Sequence, residues 1–308
     1  MAPEVNQLNW LRWSYLPLLL SGVMAFWVGT LLAPVNGYPL RLAVAGWASL
    51  GLASLIMAAL WGGQFYEPES LKPPMAISIT RLPADVPWWL TGLVSKSTIK
   101  QMSCAAVGVA AAIGGLLQFY FHTARLTMPL VILVLLGGYF VVAIPRTWLT
   151  RAAGGLVAGF ALGLLPLLAG FYIQSGHWAS ELFLYGLPLS FSGFCVYLTQ
   201  GFRNYASDLE TGRLTLVTRL GLISGALVYT LANILTIIGL VLCILLPAVR
   251  LPYHQGLWLI ILVAVVNQEM IKRRQYRQPQ GQTTLWGLTW LVNLGMGGWF
   301  LVMVAARL

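Results

Sequence analysis

Residues 221–246 read GLISGALVYTLANILTIIGLVLCILL. These 26 positions carry no charged side chain. A helix needs only about 20 apolar residues to cross the hydrocarbon core of a bilayer, so this run is long enough to span one. The rest of the chain repeats the pattern. Across 308 residues, 58% are hydrophobic and 8% are charged, against roughly a quarter charged in soluble domains. Mean hydropathy is +0.79. No segment alternates in the manner of a membrane β-strand.

Nine spans are predicted, at about 13–34, 41–63, 103–121, 127–145, 152–175, 181–200, 222–247, 255–271 and 284–305. The expected fold class is therefore all-α: a polytopic membrane bundle of about nine transmembrane helices forming a single integral-membrane domain, 1–308. The opening MAPEVNQLNWLRW has no basic stretch followed by a short apolar core and a cleavage site, so no cleaved leader is expected. Cys104, Cys195 and Cys243 fall in or beside apolar runs, where a free thiol acts as a small hydrophobe.

Charge sets the expected orientation. With these spans, fourteen of the 18 Lys and Arg residues fall on the N-terminal side and four (Arg41, Arg125, Arg250 and Arg307) on the other. The positive-inside rule then places the N-terminus in the cytoplasm and the C-terminus opposite. The same rule accounts for the net charge of +10 without a nucleic-acid partner. Both long connections, 64–102 and 201–221, are expected on the cytoplasmic side.

The second of these, GFRNYASDLETGRLTLVTRLG, holds Arg203, Asp208, Glu210, Arg213 and Arg219. Asp208 is one of only two aspartates in the chain. If 203–213 is helical, Asn204 and Asp208 stand one turn apart on one face. Two such oxygens can hold Mg²⁺ against a diphosphate, and arginines can take phosphate oxygens directly. The same charges also fit a solvated connection whose arginines touch lipid headgroups.

RNYASDLETGRLTLVTRLG resembles the second acidic motif of the UbiA superfamily, the intramembrane aromatic prenyltransferases. The closest likeness is to the branch that prenylates 1,4-dihydroxy-2-naphthoate. The motif runs approximately N-x-x-R-D-x-x-x-D-x-x-x-G-K-x-T and then V-R-L-G. Arg203, Asp208, Gly212, Arg213, Thr215 and Arg219-Leu220-Gly221 match it; Gln200 replaces the leading Asn, and Asn204 the first Asp. Weaker likenesses follow in order: Arg12, Pro17, Gly22 and Ala25 at the start, LTGLVSKSTIKQ at 90–101, Tyr139, Pro145 and Arg146 before the fifth span, and VNLGMGGWF at 292–300.

The resemblance implies transfer of a prenyl or phytyl chain from an isoprenoid diphosphate to an aromatic, quinone-like acceptor, in menaquinone or phylloquinone synthesis. It also implies a site on the cytoplasmic connections. Asp208, Arg203 and Tyr139 would be catalytic. Asp208, Glu210, Asn204, Glu67 and Glu69 would be metal ligands. Arg203, Arg213, Lys72 and Arg146 would hold diphosphate.

The first acidic motif is degenerate. Where N-D-x-x-D-x-x-x-D is expected, this chain reads WGGQFYEPESLK (61–72), with Glu67 and Glu69 out of register around Pro68. The family holds two Mg²⁺ ions with two Asp-rich motifs. Two aspartates cannot build that site, which leaves one ion, or none, with basic residues replacing metal charge. A non-catalytic relative that binds a quinone, pigment or lipid, or that serves as a partner in a membrane complex, is the alternative, and a UbiA-like terpene cyclase the second. No inverted repeat supports a transporter.

Overall fold

The computed structural model describes residues 7–65, 95–132, 154–210, 215–246 and 252–308, with side chains from residue 16 onward and excluding 63–65. Its helices are α1 (Gln7–Val35), α2 (Leu42–Phe65), α3 (Lys96–Gly115), α4 (Gly154–Leu162), α5 (Leu164–Ser175), α6 (Leu182–Glu210), α7 (Leu216–Leu245), α8 (Leu257–Lys272) and α9 (Pro279–Ala305). A π-turn, Leu116–Tyr120, extends α3. Among the described residues there is no strand, and eight helical segments are long and apolar enough to cross a membrane. They correspond to eight of the nine predicted spans. Of the remaining one, 127–145, only the helical start at 127–132 lies among the described residues. The fold is an all-α membrane bundle.

One predicted span, 152–175, is broken: α4 stops at Leu162 and α5 restarts at Leu164. Pro166 is the cause. It has no N–H for the Leu162 carbonyl, and its ring crowds the preceding turn. The break leaves the Leu164 N–H free of the helix ladder, and it donates to Ser190 Oγ of α6 at 2.9 Å. Close approach makes that bond possible. Gly155, Gly159 and Gly163 all face α6, where a Cβ would run into Tyr197, Ser190 and Phe194. The glycine run 154–163 thus serves packing, as small residues do between membrane helices. In the run 108–115, only Gly114 meets a neighbour, Val131; Gly108 and Gly115 face open space.

α6 is the central helix. Of its spanning segment, 72% is buried, the largest share of the eight. It packs on α4, α5, α7 and α9. The main apolar core joins α1, α5, α6, α7, α8 and α9 through Leu167, Leu182, Tyr185, Leu240, Ile260 and Phe300. A second cluster, with Phe202, Tyr229, Met270 and Leu285, fills the α6–α9 end.

The opposite end is fastened by polar bonds. Asn36 Nδ2 donates to Glu181 Oε1 at 2.7 Å, and the Arg41 N–H donates to Gln174 Oε1 at 2.9 Å. The His177 ring stacks on Tyr38, 5.7 Å between centroids. Glu181 and His177 are thereby occupied in joining the α1–α2 turn to the α5–α6 turn.

Candidate functional site

α6 has 29 residues, about 43 Å of helix, against a hydrocarbon core of about 30 Å. The expected connection at 201–221 therefore begins as helix: residues 201–210 are the last turns of α6. After the undescribed 211–214, Thr215 caps α7. Its Oγ1 accepts the Thr218 N–H at 3.2 Å, while Thr218 Oγ1 accepts the Thr215 N–H at 2.7 Å. After its first turn α7 is interrupted at Gly221, whose φ of +78° and ψ of 163° are non-helical and favour glycine. The first expected connection, 64–102, is likewise helical from Lys96, where Ser95 Oγ accepts the Thr98 N–H at 3.1 Å.

The end of α6 reverses the usual polarity of an exposed helix. Arg203, Asn204, Ser207 and Asp208 are 5%, 4%, 6% and 1% exposed, while Leu209 is 54% exposed. Arg203 and Ser207 stand one turn apart, as do Asn204 and Asp208. Four polar side chains point into the bundle and a leucine points out. Charge is rarely buried unless it is paired or bound, which makes this end of α6 the candidate site. Among the described residues, Asp208 is the one buried carboxylate.

The other sequence-predicted residues divide. Glu210 is exposed at the tip of α6, 200° around the helix from Asp208, and does not join it. Tyr139, Glu67, Glu69, Arg213, Lys72 and Arg146 lie outside the described residues. Glu269 pairs with Arg273 at 2.8 Å on the surface at the end of α8. Tyr120 is 71% exposed at the end of the π-turn that extends α3 and is not at the site.

Sequence reasoning missed the tryptophans of α9. The Arg203 guanidinium lies over Trp286, 4.8 Å from the ring centre, and Trp290 meets Trp286 edge-to-face at 6.4 Å. Their spacing in TLWGLTW puts both on one helical face, a signal that becomes visible only once Arg203 is known to face α9. Tyr276 also turns inward from the basic connection between α8 and α9. It packs 5.5 Å from Phe202, and its carbonyl accepts from Gln282 Nε2 at 2.9 Å.

The donor set fits one hard cation. Asn204 Oδ1 is buried with no hydrogen-bond partner among the described residues, one turn from the Asp208 carboxylate. Mg²⁺ commonly takes one or two protein oxygens and completes its shell with water and phosphate. Among the described residues no three His, Cys, Asp or Glu side chains gather.

No protein-family model matches the chain, and no curated protein matches it. Among solved structures, the chain is similar to the ligand-free structure of a UbiA homologue from Aeropyrum pernix K1. The TM-score is 0.67 at 16% identity, covering 94% of this chain and 96% of that one. At this identity the two chains share a fold: the architecture of this protein, over nearly its whole length, is that of a UbiA homologue.

Proposed function

We propose that the protein is a divergent prenyltransferase that moves an isoprenoid chain from its diphosphate to an aromatic acceptor, in naphthoquinone synthesis. One observation carries the reading: the inward-facing cluster of Arg203, Asn204, Ser207 and Asp208 at the end of the most buried helix of a UbiA-like bundle. In the reaction, the allylic C–O bond breaks and diphosphate leaves with the electron pair. A ring carbon of the acceptor bonds to the allylic carbon and then loses its proton. The departing charge requires neutralisation. Arg203, held by Trp286, supplies one fixed cation there. Asp208 and Asn204 would hold Mg²⁺, which when bound neutralises diphosphate oxygens. Glu67, Glu69, Lys72, Arg146, Arg213 and Tyr139 remain proposed contributors from the undescribed segments.

The test is turnover by the purified protein with 1,4-dihydroxy-2-naphthoate and a panel of prenyl diphosphates, with and without Mg²⁺. Prenylated product that depends on Mg²⁺ is expected. Absence of product with every pair, together with unchanged quinone content on deletion, would overturn the proposal.

A second reading has its own support. A single buried carboxylate among the described residues, with Asn204 and WGGQFYEPES where the family has aspartates, favours a non-catalytic quinone, pigment or lipid binder within a membrane complex. Stable copurification with such a complex, without turnover, is its signature.

A further inference from the structure

α8 is short for a membrane span. Its 16 residues, Leu257–Lys272, make about 24 Å of helix, less than the roughly 30 Å of a hydrocarbon core. The corner that follows is therefore held at headgroup depth, whereas the end of α6 carries helix past it. One face of α8 leads to that corner. Leu259, Leu262 and Val266 are exposed along it, and Glu269 and Arg273 continue the same line by helical spacing.

The corner has a fixed shape. Arg274 takes a φ of +56° and opens the 3-10 turn Gln275–Arg277. The Arg277 N–H donates to the Arg274 carbonyl at 3.1 Å, and the Gln278 N–H to the Gln275 carbonyl at 3.0 Å. Tyr276 is the anchor: its ring is buried 5.5 Å from Phe202, and its carbonyl is held by Gln282. Gly281 allows the closure, because a Cβ there would collide with the Gln275 carbonyl. With Tyr276 turned in, Lys272, Arg273, Arg274 and Arg277 are all exposed.

Their charge is not balanced. Glu269 is the one side-chain carboxylate in residues 211–308, and Arg273 takes it at 2.8 Å. Lys272, Arg274 and Arg277 have no ion pair among the described residues. The Arg277 guanidinium lies 5.9 Å from the Tyr276 ring centre, which steadies it without neutralising it. Guanidinium groups grip phosphate oxygens through paired N–H donors. A lysine stem can lie along apolar chains while its ammonium reaches the headgroups. An acidic protein would meet the same charge, but the depth of the corner and the exposed apolar face beneath it favour a lipid. We propose that the α8–α9 corner binds the phosphate headgroups of anionic phospholipids through Lys272, Arg274 and Arg277. The binding stands apart from the transferase reading.

Native mass spectrometry of the full chain tests it, by titration with phosphatidylglycerol and with phosphatidylcholine of the same tails. Wild type is expected to retain phosphatidylglycerol preferentially. Each cation near an anionic surface contributes about fivefold, so Arg274→Gln combined with Arg277→Gln is expected to weaken phosphatidylglycerol binding by about 25-fold. The charge-matched pair Arg125→Gln with Arg307→Gln, at exposed positions away from the corner, is expected to leave it unchanged. Equal affinity of wild type for the two lipids, or equal losses in the two variant pairs, overturns the proposal. So does a wild type that is indifferent to phosphatidylglycerol but copurifies an acidic protein that the corner pair loses. Absence of turnover with every substrate pair would remove the transferase and leave this site standing.

Discussion

The guanidinium carbon of Arg203 lies 4.8 Å from the centre of the Trp286 ring, joining the cationic end of α6 to the aromatic stripe of α9. A desolvated cation–π contact is worth about 2 kcal/mol, which is about thirtyfold in a binding constant. Trp286→Ala is therefore expected to weaken inorganic diphosphate binding by about that factor, and Trp286→Phe by much less. Calorimetric titration of both variants checks this. Equal affinities for the two would show that the ring does not hold Arg203.

Asp208 and Glu210 sit two residues apart with opposite environments, the first 1% exposed and the second on the surface. Asp208→Ala is expected to abolish Mg²⁺-dependent product, and Glu210→Gln to retain most of it. Rates from the two variants in parallel decide. Loss of activity in Glu210→Gln would place that carboxylate in the metal site after all.

A Cβ on Gly170 would collide with the Phe26 carbonyl, whereas one on Gly46 would meet nothing within 4 Å. Gly170→Ala is expected to lower the melting temperature in detergent sharply, since backbone must move and overpacking typically costs 1–3 kcal/mol. Gly46→Ala, in the interior of α2, is expected to leave it unchanged or raise it.

Gly221 also faces open space, but its φ is +78°. The expected cost of Gly221→Ala is conformational rather than steric, about 1–3 kcal/mol. Its effect should be a straightened start of α7. Spin-label distances between the first turn of α7 and the end of α6 would report the change.

The excess of basic residues predicts a cytoplasmic N-terminus and a C-terminus on the opposite face. A reporter fusion after Leu308 that is active only outside the cytoplasm should be active. An inactive reporter, together with fluorescence from a cytoplasm-specific fusion at the same position, would reverse the orientation.

The spans were legible because hydropathy acts over 20 residues at a time and needs no tertiary partner; the run at 222–247 falls close to the observed α7. The inward direction of Asp208 was partly legible, through its helical spacing with Asn204. A bend near Pro166 was legible from its missing N–H alone, whereas the acceptor of the freed Leu164 N–H, Ser190 Oγ, is a long-range fact absent from local pattern. The same holds for Trp286: a tryptophan in a membrane helix reads as a packing or interface anchor until the arginine above it is located. The end of α6 reads as a connection in sequence because charge usually marks the close of a membrane helix, whereas its 29 residues carry helix beyond the hydrocarbon.

The bonds Asn36–Glu181 and Arg41–Gln174 tie two helical hairpins together at the end remote from Asp208. A protein that carries cargo through a bilayer must part its helices at each face in turn, like a turnstile. Here the α1–α2 and α5–α6 turns are laced together by side chain and backbone. Motion that separates these two hairpins at that end must first break both bonds.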